Sequence, residues 1–215
     1  MKPNRRREAI ELLAGLAAAY AAFATTFRGP RHRFWQRMTR TGAALGSVAL
    51  VAEPDLGRLR PLVRDVALGL GSAAVLYEVF QAGDRMARRL MPEGAEEIGD
   101  VYELRELRPR PELVARLALV IAPAEELFWR GLVQGLLGRR YGRWQGAALT
   151  SAAYAGAHVS TGNLTLVGAA GTAGAFWSAL RAAGMPMPAL IASHVAWDLW
   201  IFLVAPTEQS GAVVS

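Results

Sequence analysis

The sequence predicts an all-α fold, a polytopic bundle of about six to seven transmembrane helices with a short amphipathic surface segment. Three observations carry this prediction. Of 215 residues 53% are hydrophobic, and the mean hydropathy is positive at +0.20. The apolar residues are gathered into long segments separated by arginine-rich connections. Several of those segments approach the roughly 20 residues needed to cross a hydrocarbon layer of about 30 Å at about 1.5 Å per residue.

Composition narrows the function classes. The absence of cysteine excludes disulfides, Cys-ligated zinc, iron–sulfur clusters and thiol nucleophiles. The net charge of +6 is carried almost wholly by arginine, Lys2 being the sole lysine. Arginine beside apolar spans reads as contact with anionic lipid headgroups in a bilayer. Nucleic-acid binding is not expected, because no basic stretch is interleaved with stacking aromatics. Residues 1–7 are basic and an apolar run follows, but no small-residue cleavage site precedes a polar region, so residues 9–27 read as a retained span and not as a secretory signal. Three regions are expected: 1–111, membrane spans and an interfacial connection; 112–205, a second helix bundle bearing the chemistry; and 206–215, a tail.

The first span, 9–27, is alanine-rich and carries Glu11 near its end, where a side chain reaches the interface. Residues 28–40 form a basic connection with Trp35 at headgroup level. The apolar part of the next segment, 41–52, is short for a crossing unless it is tilted or begins near Phe34. Glu53-Pro54-Asp55 breaks that run, and Pro61 marks a turn. A third span follows at 65–82, with Glu78 near one end and outside any expected site. Residues 83–111 change to mixed charge and read as short amphipathic surface helices broken by Pro92 and Gly94. The fourth span is 117–137, followed by a tight basic turn at 138–143 and a fifth span at 144–158. After Ser160-Thr161-Gly162-Asn163 comes a sixth, 164–180, with Gly168, Gly171 and Gly174 as small residues for close helix approach. A turn at 184–188 leads to the last span, 189–205. Arginine and lysine are nearly balanced between alternate connections, so the positive-inside rule does not select an orientation.

Chemistry is expected where ionisable side chains interrupt these apolar runs, because charge inside a membrane is expensive and marks function. The fourth span holds Glu125, Glu126 and Arg130. Glu126 and Arg130 stand four apart, with the glutamate first, and are expected to pair. Glu125 is rotated by about 100° from that pair and is left as the candidate base. His158 stands four residues after Tyr154, and His194 four before Asp198, each pair on one helical face. His32 lies in the basic connection and reads as solvated. Two hydrolytic chemistries fit the set. A carboxylate and a histidine can hold and deprotonate water while a second histidine stabilises the oxyanion. Alternatively Glu125, His158, His194 and Asp198 can ligate a divalent metal such as zinc, which activates the water. No Gly-x-Ser-x-Gly elbow and no His-Glu-x-x-His motif is present.

Glu125-Glu126-x-x-x-Arg130, Tyr154-x-x-x-His158 and His194-x-x-x-Asp198, in that order and each in an apolar segment, resemble the three motifs of the CAAX protease and bacteriocin-processing (CPBP) family of intramembrane proteases, which includes the type II CAAX prenyl endopeptidases. The resemblance covers about residues 112–205. It implies an integral membrane endopeptidase that acts on a membrane-associated protein or peptide, expected here in a bacterial cell membrane. By that analogy Glu125 is the general base, His158 helps hold the water, His194 with Asp198 faces the oxyanion, and Arg130 holds Glu126. Two positions depart from the family pattern. Tyr154 stands where Phe is common and adds a hydroxyl. Asp198 stands where Asn is common, and an ionised Asp cannot donate to an oxyanion, so it is either protonated, a metal ligand or, as preferred here, the group that orients His194 and favours its imidazolium. The family does not settle whether a metal takes part, and nothing in the sequence selects a prenyl group. The competing class is a non-enzymatic immunity, scaffold or transport component that uses the same polar cavity for binding.

Overall fold

The structure, a computed structural model, describes residues 5–90 and 103–205. Among the described residues seven helices follow one another: α1 (Arg5–Phe27), α2 (Phe34–Ala52), α3 (Val63–Leu90), α4 (residues 110–141), α5 (Arg143–His158), α6 (Leu164–Ala182) and α7 (Met187–Leu199, continued by a π turn over Trp200–Val204). No strand occurs among the described residues. Arg6–Phe27, Val63–Arg85 and Met187–Val204 are long and apolar enough to cross a bilayer on their own.

Contacts between connections show that the helices alternate in direction. At one end of the bundle Arg31 pairs with Glu103 at 3.0 Å, Trp35 Nε1 donates to the Leu104 carbonyl at 2.7 Å, and Arg110 donates to the Leu203 carbonyl. At the other end Arg139 of α4 reaches Glu8 at the start of α1, at 3.0 Å, and Glu53 just past α2, at 2.6 Å. His158, at the C-terminal end of α5, lies at the first of these ends, where its ring meets Phe27 with centroids 5.7 Å apart.

Several element boundaries differ from the sequence reading: α1 already includes residues 5–8, and α4 runs over 110–141 where 117–137 was expected. α2 begins at Phe34, the earlier start that the sequence reading allowed, because Trp35, Met38, Gly42, Leu45 and Ala49 form one buried face that continues the helix through the basic stretch. α3 runs past residue 82 to Leu90, since no helix breaker occurs before Pro92. Of the expected amphipathic surface segment, 83–111, residues 83–90 continue α3, Leu104–Leu107 form a 3-10 turn and 110–111 open α4; its middle, 91–102, lies outside the described residues, as does the tail at 206–215.

α4 is the hub. Its buried Phe128, Trp129, Leu132, Val133, Leu136 and Leu137 pack with Ala19 and Phe23 of α1, with Trp35, Met38, Leu45 and Ala49 of α2, and with Tyr154 and Ala157 of α5. A second core joins Leu76 of α3, Ala173 and Trp177 of α6, and Met187 and Leu190 of α7. Leu13 on α1 and Leu70 and Val75 on α3 point outward, the arrangement expected of a lipid-facing surface. Small residues set the closest approaches, as helix packing in lipid requires. A Cβ on Gly69 of α3 would lie 2.6 Å from Ala192 Cβ of α7, and one on Gly146 of α5 would lie 2.6 Å from the Gly138 nitrogen of α4. Of the three regularly spaced glycines of α6 only Gly174 is tightly approached, since a Cβ there would lie 2.8 Å from Tyr154 Cδ1, whereas one on Gly168 would meet open space.

Candidate active site

The carboxylates sit between two widened stretches of α4. π turns cover Leu117–Ile121 and Leu127–Val133, flanking the short α-helical piece Ala122–Glu126. Pro123 supplies a reason for the first: it lacks an N–H and its ring crowds the preceding turn, and just upstream the Ala122 N–H bonds to Leu117 O, five residues back. π turns inside helices recur at functional sites. Here they bracket two adjacent glutamates that are both buried and bond to different helices.

Glu126 and Arg130 pair as their spacing predicts, with Arg130 Nη1 donating to Glu126 Oε1 at 2.9 Å and both side chains fully buried. Neighbours hold Nη2 and the face of the guanidinium, while Nε is buried with no hydrogen-bond partner. Nη2 donates to the Gly174 carbonyl at 3.2 Å, and Cζ lies 4.8 Å from the Tyr154 ring centroid and 5.4 Å from that of Trp177. Several weak contacts of this kind confine a charge that has left water.

Glu125 has no partner in its own helix, but the Tyr154 hydroxyl donates to its Oε2 at 2.8 Å. The Tyr154 carbonyl lies 2.9 Å from His158 Nδ1. A carbonyl only accepts, so Nδ1 carries the proton of the neutral ring and Nε2 keeps its lone pair. Phe23 and Tyr154 meet the same imidazole edge-on, at centroid distances of 5.1 and 4.8 Å.

His194 is tied most closely to Glu126. Its Nδ1 lies 2.9 Å from Glu126 Oε1, while Nε2 lies 3.6 Å from Asp198 Oδ1. Glu126 thus binds both Arg130 and His194, a role that spacing along the chain does not reveal, because Glu126 and His194 are 68 residues apart. Glu125, His194 and Asp198 lie within electrostatic reach of one another, as do His158 and His194. With 15% of its side chain exposed, Asp198 is the most open member of the group.

These side chains do not fit a metal centre as they stand. Among the described residues no three His, Asp or Glu side chains are grouped as ligands. Glu126 Oε1 is shared by Arg130 and His194, and Glu125 Oε2 is occupied by the Tyr154 hydroxyl.

Comparison with known families bears on this same stretch. Residues 111–200 match the family model for type II CAAX prenyl endopeptidase Rce1-like proteins. Residues 111–200 form an Rce1-like domain. It takes in nearly all of α4 together with α5, α6 and most of α7, and so contains the whole cluster. Neither a curated protein nor a solved structure matches the chain. The Rce1-like match and the three apolar helices make this an integral membrane protein with a protease-type domain. Within the domain Trp177 escaped the sequence reading. It stacks on His194 with centroids 4.0 Å apart and planes 24° from parallel, a contact that no spacing in the sequence signals.

Proposed function

We propose that the protein is an intramembrane endopeptidase that hydrolyses a peptide bond of a membrane-associated protein or peptide, with Glu125 as general base. The observation that supports this most is the burial of Glu125 and His158 on either side of Tyr154, which bonds to both, inside the Rce1-like domain. In this reading a water bound by the two side chains donates one hydrogen bond to His158 Nε2 and one to Glu125. As its oxygen attacks the carbonyl carbon, its proton passes to Glu125. The tetrahedral oxyanion is met by His194, whose Nε2 donates when the ring is an imidazolium, with Nδ1 bonded to Glu126. Asp198 orients that ring. On collapse the C–N bond breaks, the proton moves from Glu125 to the departing amine, and acid and amine leave. Each partner therefore returns to its starting protonation. The lipid anchor of the substrate supplies the binding energy that holds the scissile bond near the site.

The test is cleavage of a lipid-anchored peptide library by protein reconstituted in liposomes. Wild-type protein is expected to cut, and Glu125→Gln and His158→Ala to slow turnover by about 100-fold or more. Unchanged turnover in both variants would contradict the assignment.

A further inference from the structure

The imidazole of His194 meets Glu126 through Nδ1 at 2.9 Å and Asp198 through Nε2 at 3.6 Å, two contacts at the ring's edge that leave its faces to be held by something else. The face of the ring is covered by Trp177, fully buried on α6, at the stacking distance given above. Trp177 is itself anchored. Its Nε1 donates to Ser193 Oγ at 3.0 Å, and Ser72 Oγ of α3 reaches both Ser193 Oγ and the Gly69 carbonyl at 2.9 Å. Ser193 is also fully buried, immediately before His194 in the chain. The indole, the two hydroxyls and the carbonyl thus form a polar chain through α6, α7 and α3, which ends on the close approach of Gly69 to α7.

We propose that Trp177, anchored by Ser193 and Ser72, is a positioning residue that sets the plane of the His194 ring so that its Nε2 faces the reacting carbonyl. This rests on the reading of His194 given under the proposed function. A packing role for Trp177 requires only that its volume be filled. A positioning role requires the aromatic face, and the N–H that holds that face at its angle. Misplacement of a catalytic group by about 1 Å can cost roughly 100-fold in rate, so the two roles separate in kinetics.

The experiment measures kcat and KM on a library peptide that the wild type cuts, in liposomes, with folded fraction read from a thermal melt. Trp177→Leu, which keeps bulk and loses the ring, is expected to lower kcat by about 10- to 100-fold at a KM within about threefold of wild type. Trp177→Phe, which keeps the face and loses the N–H, should recover most of that rate, and Ser193→Ala should match Trp177→Phe. In a His194→Ala background, followed at single turnover over long incubation, Trp177→Leu should have no further effect, because the residue it acts through is gone. Trp177→Leu at wild-type kcat, or a loss that multiplies undiminished onto His194→Ala, overturns the inference while leaving the site reading intact. A His194→Ala protein as fast as wild type overturns the site reading, and this inference with it.

Discussion

Two adjacent glutamates with different partners give the site its character. Glu126 is bound to Arg130 in a pair from which solvent is excluded, and breaking a buried pair by removing one partner costs about 3–5 kcal/mol. Arg130→Ala is therefore expected to lower the thermal midpoint of the detergent-purified protein sharply, more than loss of any exposed arginine such as Arg58. Tyr154→Phe asks a narrower question, since it deletes only the donor to Glu125. A hydrogen bond to a charged group is worth about 1.5–3 kcal/mol, and the expected outcome is a loss of about 10- to 100-fold in cleavage rate with the fold retained, read in the liposome assay. The Glu126–Arg130 pair was legible because both ends lie on one helix at a fixed spacing. The bond from His194 to Glu126 and the stacking of Trp177 were not, because they depend on which faces of α4, α6 and α7 meet, and that is decided by packing.

At the scale of elements, steric room decides where a helix can carry a side chain. Gly146→Ala would drive a Cβ to within 2.6 Å of the backbone of α4, whereas Gly168→Ala meets nothing within 4 Å. The first is expected to destabilise by about 1–3 kcal/mol through overpacking. The second should be neutral or stabilise by up to about 1 kcal/mol through helix propensity. Thermal melts of the two variants check this contrast. The sequence marked Gly168, Gly171 and Gly174 alike, but residues three apart drift by about 60° per step on a helix of about 3.6 residues per turn, so the first and last cannot serve one interface. Helix locations were legible from apolar length, and α2 was the exception: its basic N-terminal half hides a buried face that only the pattern of Trp35, Met38 and Gly42 betrays. The π turns of α4 carry no comparable signature beyond Pro123.

For the whole molecule, the bundle keeps its ionisable cluster in the interior of the helices that form the Rce1-like domain and shows apolar faces of α1 and α3 to the outside. Val75, near the middle of the α3 span and more than half exposed, tests that placement. An arginine at the centre of a spanning helix costs about 2.5–3.5 kcal/mol for insertion, so Val75→Arg should raise the fraction released by alkaline extraction of membranes. The class of the fold was legible because a lipid solvent permits few architectures. The central claim is that Glu125 delivers water to a peptide bond inside this bundle. Cleavage of a lipid-anchored peptide in water enriched in oxygen-18, followed by mass spectrometry of the new carboxyl terminus, tests it most directly: the account predicts one heavy oxygen per cut by the wild-type protein and at least a 100-fold slower appearance with Glu125→Gln, and equal rates of labelled product from both would contradict it.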